Sequence, residues 1–176
     1  MFAPGDIAAS EPIVVVPPRL VLTAFGGGAR DRLAEVLEAS GMHPTVALAV
    51  RLIYESHLGE KSTFAAYVAS LPRSYDTPLS FDLASLRRLG SLFRQACGSR
   101  RAAARYYVEL TKATKIRDCV GLIGWDEWIW AMSAVVTRQN SLPGGLCLVA
   151  LWDSCNHALE APRTEFLEEG QQLELR

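Results

Sequence analysis

Arg, Asn, Asp, His and Trp side chains gather in two short stretches near the carboxyl end, Thr137-Arg-Gln-Asn140 and Leu151-Trp-Asp-Ser-Cys-Asn-His157. Together they supply a guanidinium, a carboxylate, two amides, an imidazole and an indole. These are groups that orient a polar ligand by hydrogen bonds and give a flat ring an apolar wall to stack on. Other chemistries have less support. Gly26-Gly27-Gly28 is followed by no Lys-Ser or Lys-Thr and lacks GxGxxG spacing, so it reads as a plain loop rather than a phosphate cradle. Cys97, Cys119, Cys147 and Cys155 contain no CxxC pair, and none of His43, His57 and His157 stands at zinc-ligand spacing. No metal site is expected, and the thiols read as reduced and buried, as in a reducing compartment.

The elements that would hold the first cluster follow from periodicity. Ile13 to Val16 is a β-branched run closed by Pro17-Pro18, and Leu20 to Leu22 a second extended piece. Leu33, Val36 and Leu37 share a helical face that stops at Ser40-Gly41. Pro44 opens an almost wholly apolar helix to Leu58, with a turn at Gly59 to Ser62 and a short helix around Phe64, Tyr67 and Val68 ended by Leu71-Pro72. Helical spacing recurs over Leu83, Leu86, Leu89 or Gly90, and Phe93, and again over Tyr106, Leu110 and Ala113, which predicts two amphipathic helices. Trp125, Trp128, Ile129, Met132 and Val136 predict one face of a core helix, with Asp126 and Glu127 in its first turn, where the helix dipole favours acids. Leu146 to Trp152 reads as a strand, and Glu160 to Glu174 as an acidic, turn-rich tail. Strands at both ends and helices between them make a sheet that needs further strands to close its edges.

Composition bounds the rest. The 176 residues, 49% hydrophobic and 21% charged, suit one folded domain and exclude a disordered or collagen-like chain. A formal charge of −1 gives no global case for nucleic acid or a membrane surface, and no apolar run is long enough to cross a bilayer. The amino terminus lacks the pattern of a signal peptide, so a cytoplasmic chain is expected, with the nucleus left open. The neutral total hides nine basic residues against the single acid Glu109 between Arg87 and Arg117. This stretch reads first as solvated helix faces and second as a groove for an acidic protein partner.

Three strings carry a resemblance. Val149-Ala-Leu-Trp-Asp-Ser-Cys-Asn-His157, Val136-Thr-Arg-Gln-Asn-Ser-Leu-Pro143 and Leu71-Pro-Arg-Ser-Tyr-Asp-Thr-Pro-Leu79 resemble, in the same order, the SET-domain methyltransferases with a helical insert. Ile13 to Pro17 and Leu20 to Thr23 resemble that family's first strands. Within the family, the likeness favours the branch that methylates a histidine of actin over the branch that methylates lysines. The resemblance implies an α+β fold: first strands of a SET core over residues 1–28, a helical insert over 29–133, and a second part of the core over 134–176. It implies S-adenosyl-L-methionine as cofactor, with Arg138, Asp153, Asn156 and His157 as contacts to it. Asn140 and Trp152 would line the pocket for the target, and the partner would be a protein substrate, actin. An amide that accepts a hydrogen bond from a neutral imidazole, beside an indole wall, suits a histidine better than a lysine.

The sequence departs from that pattern in two places. The Gly-rich cofactor strand has no counterpart before Ile13, and Phe25 stands where the family tends to carry an acid for the ribose. All five tyrosines, at 54, 67, 75, 106 and 107, precede His157, so none matches the Tyr-Gly segment of the family and no catalytic residue is identified. These departures predict an inactive fragment that stops where the next core strand would begin. A lysine methyltransferase and a non-catalytic protein-binding module stay open as alternatives.

Overall fold

Residues 46–53, Val-Ala-Leu-Ala-Val-Arg-Leu-Ile, are buried without exception, so the helix that carries them has to be wrapped on all sides. The computed structural model, which describes residues 14–26, 31–154, 164–167 and 172–175, places that helix, α2 (Pro44–Leu58), at the centre. Pro44 sits in its first turn, where a missing N–H costs nothing, and His43 Nδ1 accepts from Thr45 N at 3.3 Å. Before it, α1 (Arg32–Ser40) is capped by Asp31, whose carboxylate accepts from Ala34 N at 3.0 Å, and ends at Gly41 in the left-handed conformation, φ 63°. Next come α3 (Ala65–Ser70), α4 (Leu83–Arg87), α5 (Phe93–Lys112), α6 (Thr114–Val120) and α7 (Trp125–Arg138).

The main core lies where α2 packs on α7. Trp128 is fully buried there, its indole N–H donating to Ala103 O of α5 at 2.9 Å. Burial of side chains such as Leu48, Leu52 and Ile53 contributes about 1.5–3 kcal/mol each. Among the described residues no single helix is long and apolar enough to cross a membrane.

Two antiparallel sheets cover one side. In the first, β2 (Val21–Thr23) pairs with β4 (Gly145–Val149), which pairs with β3 (Asn140–Leu142). In the second, β1 (Val14–Val16) pairs with β6 (Gln172–Leu175), which pairs with β5 (Thr164–Leu167). The alternation along β4 divides its side chains between two cores. Leu148 joins the helices, while Cys147 and Val149 pack with Val14 and Val16 in a smaller cluster flanked by Leu142 and Trp152.

Several expectations need correction. The helix read over residues 83–93 is broken: Gly90 adopts φ 56°, and Phe93 instead opens α5, which runs unbroken through the second predicted helix to Lys112. On α7 the buried side is Trp128, Ala131, Met132 and Val135, because α2 and α5 lie there. Trp125 and Val136 are exposed. The strand read to Trp152 ends at Val149, because Leu151 turns the chain with φ 72° and residues 152–154 form a 3-10 turn. The tail read as turns holds β5 and β6, which supply the partners that β1 lacks locally. The boundary placed at residue 133 falls inside α7.

Candidate functional site

Two corners of the chain meet at the end of α7. Arg138 is its last residue, Gln139 leaves the helix with ψ 140°, and Asn140 begins β3. After β4, the backbone at Leu151 (φ 72°) turns Trp152 and Asp153 back toward Arg138. Positive φ in a branched residue is rare and costs about 1–3 kcal/mol.

The meeting makes a five-member network. Arg138 Nη1 lies 3.1 Å from Asp153 Oδ2 and donates to Asp153 O at 3.3 Å. Tyr67 OH donates to the same Asp153 Oδ2 at 2.8 Å. Arg138 Nε donates to Tyr75 OH at 3.2 Å, and its guanidinium carbon lies 5.7 Å from the centre of that ring. Asn140 Nδ2 donates to Arg138 O at 3.1 Å. The Asp153 side chain is 3% exposed and that of Arg138 20%.

Electrostatics keeps these roles apart. Burial, and then the hydrogen bond to Asp153, push the Tyr67 phenol far above its ordinary range, so it stays a donor. Burial also raises Tyr75, although the Arg138 hydrogen bond pulls it down. Burial opposes the charge of Arg138, but Tyr75 and Asp153 outweigh it and hold the guanidinium above its usual value. Beneath the site, burial pushes the Cys147 thiol up to about 11. The Cys147 thiol faces Asn140 O at 3.6 Å across the β3–β4 pairing.

The predicted site residues are therefore placed as follows. Arg138, Asp153 and Asn140 come together. Trp152 packs against the smaller cluster of Val14, Val16, Cys147 and Val149, with its buried Nε1 without a partner among the described residues. Asn156 and His157 lie outside the described residues. Tyr67 and Tyr75 were missed as site residues, although Tyr75 sits within the Leu71 to Leu79 string. The signal was there in the string, but no local pattern brings Tyr67 to Asp153, 86 residues away.

Beside the β3–β4 hairpin lies a cavity of about 1020 Å³, lined by Arg19, Asp31, Arg51, Tyr54, Phe64 and Leu142 among others. Its floor is ionic. Arg51 Nη2 lies 2.7 Å from Asp31 and Nη1 3.7 Å from Glu55, while Ser62 Oγ donates to Glu55 Oε2 at 2.6 Å. Neither Arg138 nor Asp153 lines this cavity, so it neighbours the network without containing it. Among the described residues no three His, Cys, Asp or Glu side chains converge as a metal site.

No family profile matches the chain. Its sequence is 30% identical to actin-histidine N-methyltransferases of Otolemur garnettii, Homo sapiens and Gallus gallus, over 88% of this chain and 29% of theirs. The chain thus spans less than a third of the length of these curated relatives. Among solved structures it is similar to the SET domain of LSMT bound to lysine and AdoHcy, with a TM-score of 0.78 at 20% identity, covering 96% of this chain and 41% of that one. It is equally similar to Rubisco LSMT bound to AdoMet, with a TM-score of 0.78, covering 97% of this chain and 40% of that one. The fold is that of the SET domain, α+β with helices set between the strands. With that fold, and with sequence likeness over 88% of its length, the chain is similar to the SET-domain protein methyltransferases.

Proposed function

We propose that the chain is part of an S-adenosylmethionine-dependent protein methyltransferase whose target is a histidine side chain, that of actin, in a cytoplasmic setting. The observation that carries this reading is the tether on Asn140. With Nδ2 donating to Arg138 O, its amide leaves Oδ1 as an acceptor beside the Arg138–Asp153 pair. An acceptor held in that way can take the N–H of a neutral imidazole and turn the ring's other nitrogen toward a reaction partner.

The residues present fit the cofactor. Arg138 spends Nε and Nη1 on Tyr75 and Asp153 and keeps Nη2 without a partner among the described residues, a donor edge for a carboxylate. Bound S-adenosylmethionine would supply an electrophilic methyl group. Arg138 would hold the anionic end, and Asp153, fixed from both sides by Tyr67 and Arg138, would keep that edge aimed. Trp152 and its backing by Val14 and Val149 would give the ring a rigid apolar neighbour. The names of the relatives, actin-histidine N-methyltransferases, support the substrate.

Calorimetric titration with S-adenosylmethionine, followed by methyl transfer to a histidine-bearing actin peptide, tests the reading. Micromolar binding that Arg138→Ala abolishes, with transfer that disappears when the peptide histidine becomes alanine, would support the reading and overturn the expectation of an inactive fragment. Transfer to lysine instead would replace the histidine reading, and an absence of cofactor binding would leave a protein-binding module.

A further inference from the structure

Of the nine cations between Arg87 and Arg117, five lie on α5, and four of those five are aligned. At about 100° per residue, Arg94, Arg101, Arg105 and Lys112 fall within about 20° of one line along the helix, a stripe about 27 Å long. Ala96, Ala103 and Leu110 mark the opposite, buried side. All four cations are exposed, and no carboxylate among the described residues lies within ion-pair distance of any of them. Arg105 meanwhile rests 5.5 Å over the ring of Tyr106.

Like charges four residues apart, as Arg101 and Arg105 are, weaken a helix, and so does a glycine in its interior. Gly98 lies on the same side, between Arg94 and Arg101, and a Cβ there would meet nothing within 4 Å, so packing inside this chain does not call for it. Val108, 48% exposed, lies on that side as well. A stripe of four unpaired cations, with Glu109 the one acid at its flank and with a bare stretch of backbone and an apolar side chain beside it, is built for a surface that supplies carboxylates and comes close.

We propose that this face of α5 docks an acidic helical segment of a protein partner, laid along the stripe with its carboxylates opposite Arg94, Arg101, Arg105 and Lys112. Protein is favoured over nucleic acid because the chain as a whole is charged −1, which opposes long-range attraction of a polyanion, and because Val108 and Gly98 offer a dry contact that a phosphate backbone does not use. This surface is independent of the methyl-transfer reading.

The test uses a labelled helical peptide with Glu at the four matching positions, its binding followed by fluorescence anisotropy. Joint substitution Arg94→Gln, Arg101→Gln, Arg105→Gln and Lys112→Gln should weaken binding about tenfold or more, four exposed ion pairs being removed. Removal of the same charge through Arg87→Gln, Arg88→Gln, Lys115→Gln and Arg117→Gln should change it less than twofold. Gly98→Leu should weaken the peptide while raising the melting temperature, which separates lost contact from lost folding. Equal losses in both charge sets, equal binding of a scrambled peptide of the same composition, or tighter binding of an RNA or DNA oligomer would each overturn the proposal.

Discussion

Arg51 and Arg138 are built from the same parts and do different work. Each pairs with an aspartate and lies over a tyrosine ring, Arg51 5.6 Å from that of Tyr54 and Arg138 5.7 Å from that of Tyr75. Arg51 sits in the middle of α2, 3% exposed at its side chain, facing two carboxylates, with only Nε unsatisfied. Arg138 stands at the end of α7, 20% exposed, with one carboxylate and one guanidinium edge left over. A charge sealed among opposite charges holds elements together, whereas a charge balanced on one side only can take a ligand.

That contrast can be broken by experiment. Arg51→Ala strands Asp31 and Glu55 in a part-buried site and should cost about 3–5 kcal/mol by urea denaturation. Arg138→Ala, which removes a side chain 20% exposed but strands Asp153, itself 3% exposed, should cost about 2 kcal/mol while abolishing cofactor binding. Equal losses of stability in the two variants would erase the distinction. Cys147 lies between the two regions, and its thiol is raised to about 11 from an ordinary 9.0. Because the folded chain keeps that proton longer than the unfolded one, stability is full below about pH 9 and falls by about 2–3 kcal/mol as pH rises through about 11. Cys147→Ala should flatten that part of a pH series of melting curves.

Smaller effects sharpen the comparison. Tyr67→Phe removes one bond to buried Asp153 and should cost about 1–2 kcal/mol, with S-adenosylmethionine affinity falling severalfold in calorimetry. Ser62→Ala removes the bond that steadies Glu55, on the Arg51 side. It should cost about 1 kcal/mol and leave cofactor affinity unchanged. If Ser62→Ala moved affinity as far as Tyr67→Phe, the cavity and the network would be one site.

Legibility followed the range of the interactions. The apolar run of α2, its proline start and the glycine stop of α1 were readable because capping and periodicity act within a few residues. The break at Gly90 was not, since Leu83, Leu86, Leu89 and Phe93 keep helical spacing across it, and only the left-handed backbone there shows two helices. Arg138, Asp153 and Asn140 were nominated by their neighbours in the string, and the structure brings the three together. Tyr67 was invisible because its bond to Asp153 spans the helical middle of the chain.

What the amino-acid sequence determined alone is therefore local: which stretches coil, where they start, and which polar groups crowd the end of α7. The tertiary structure decided the rest. β6 closes on β1 because an edge strand takes its partner from wherever the chain returns. Val136 faces solvent because the neighbours of α7, and not its own period, set the buried side. The two arginines part ways because burial, which no spacing encodes, determines how many countercharges each one needs.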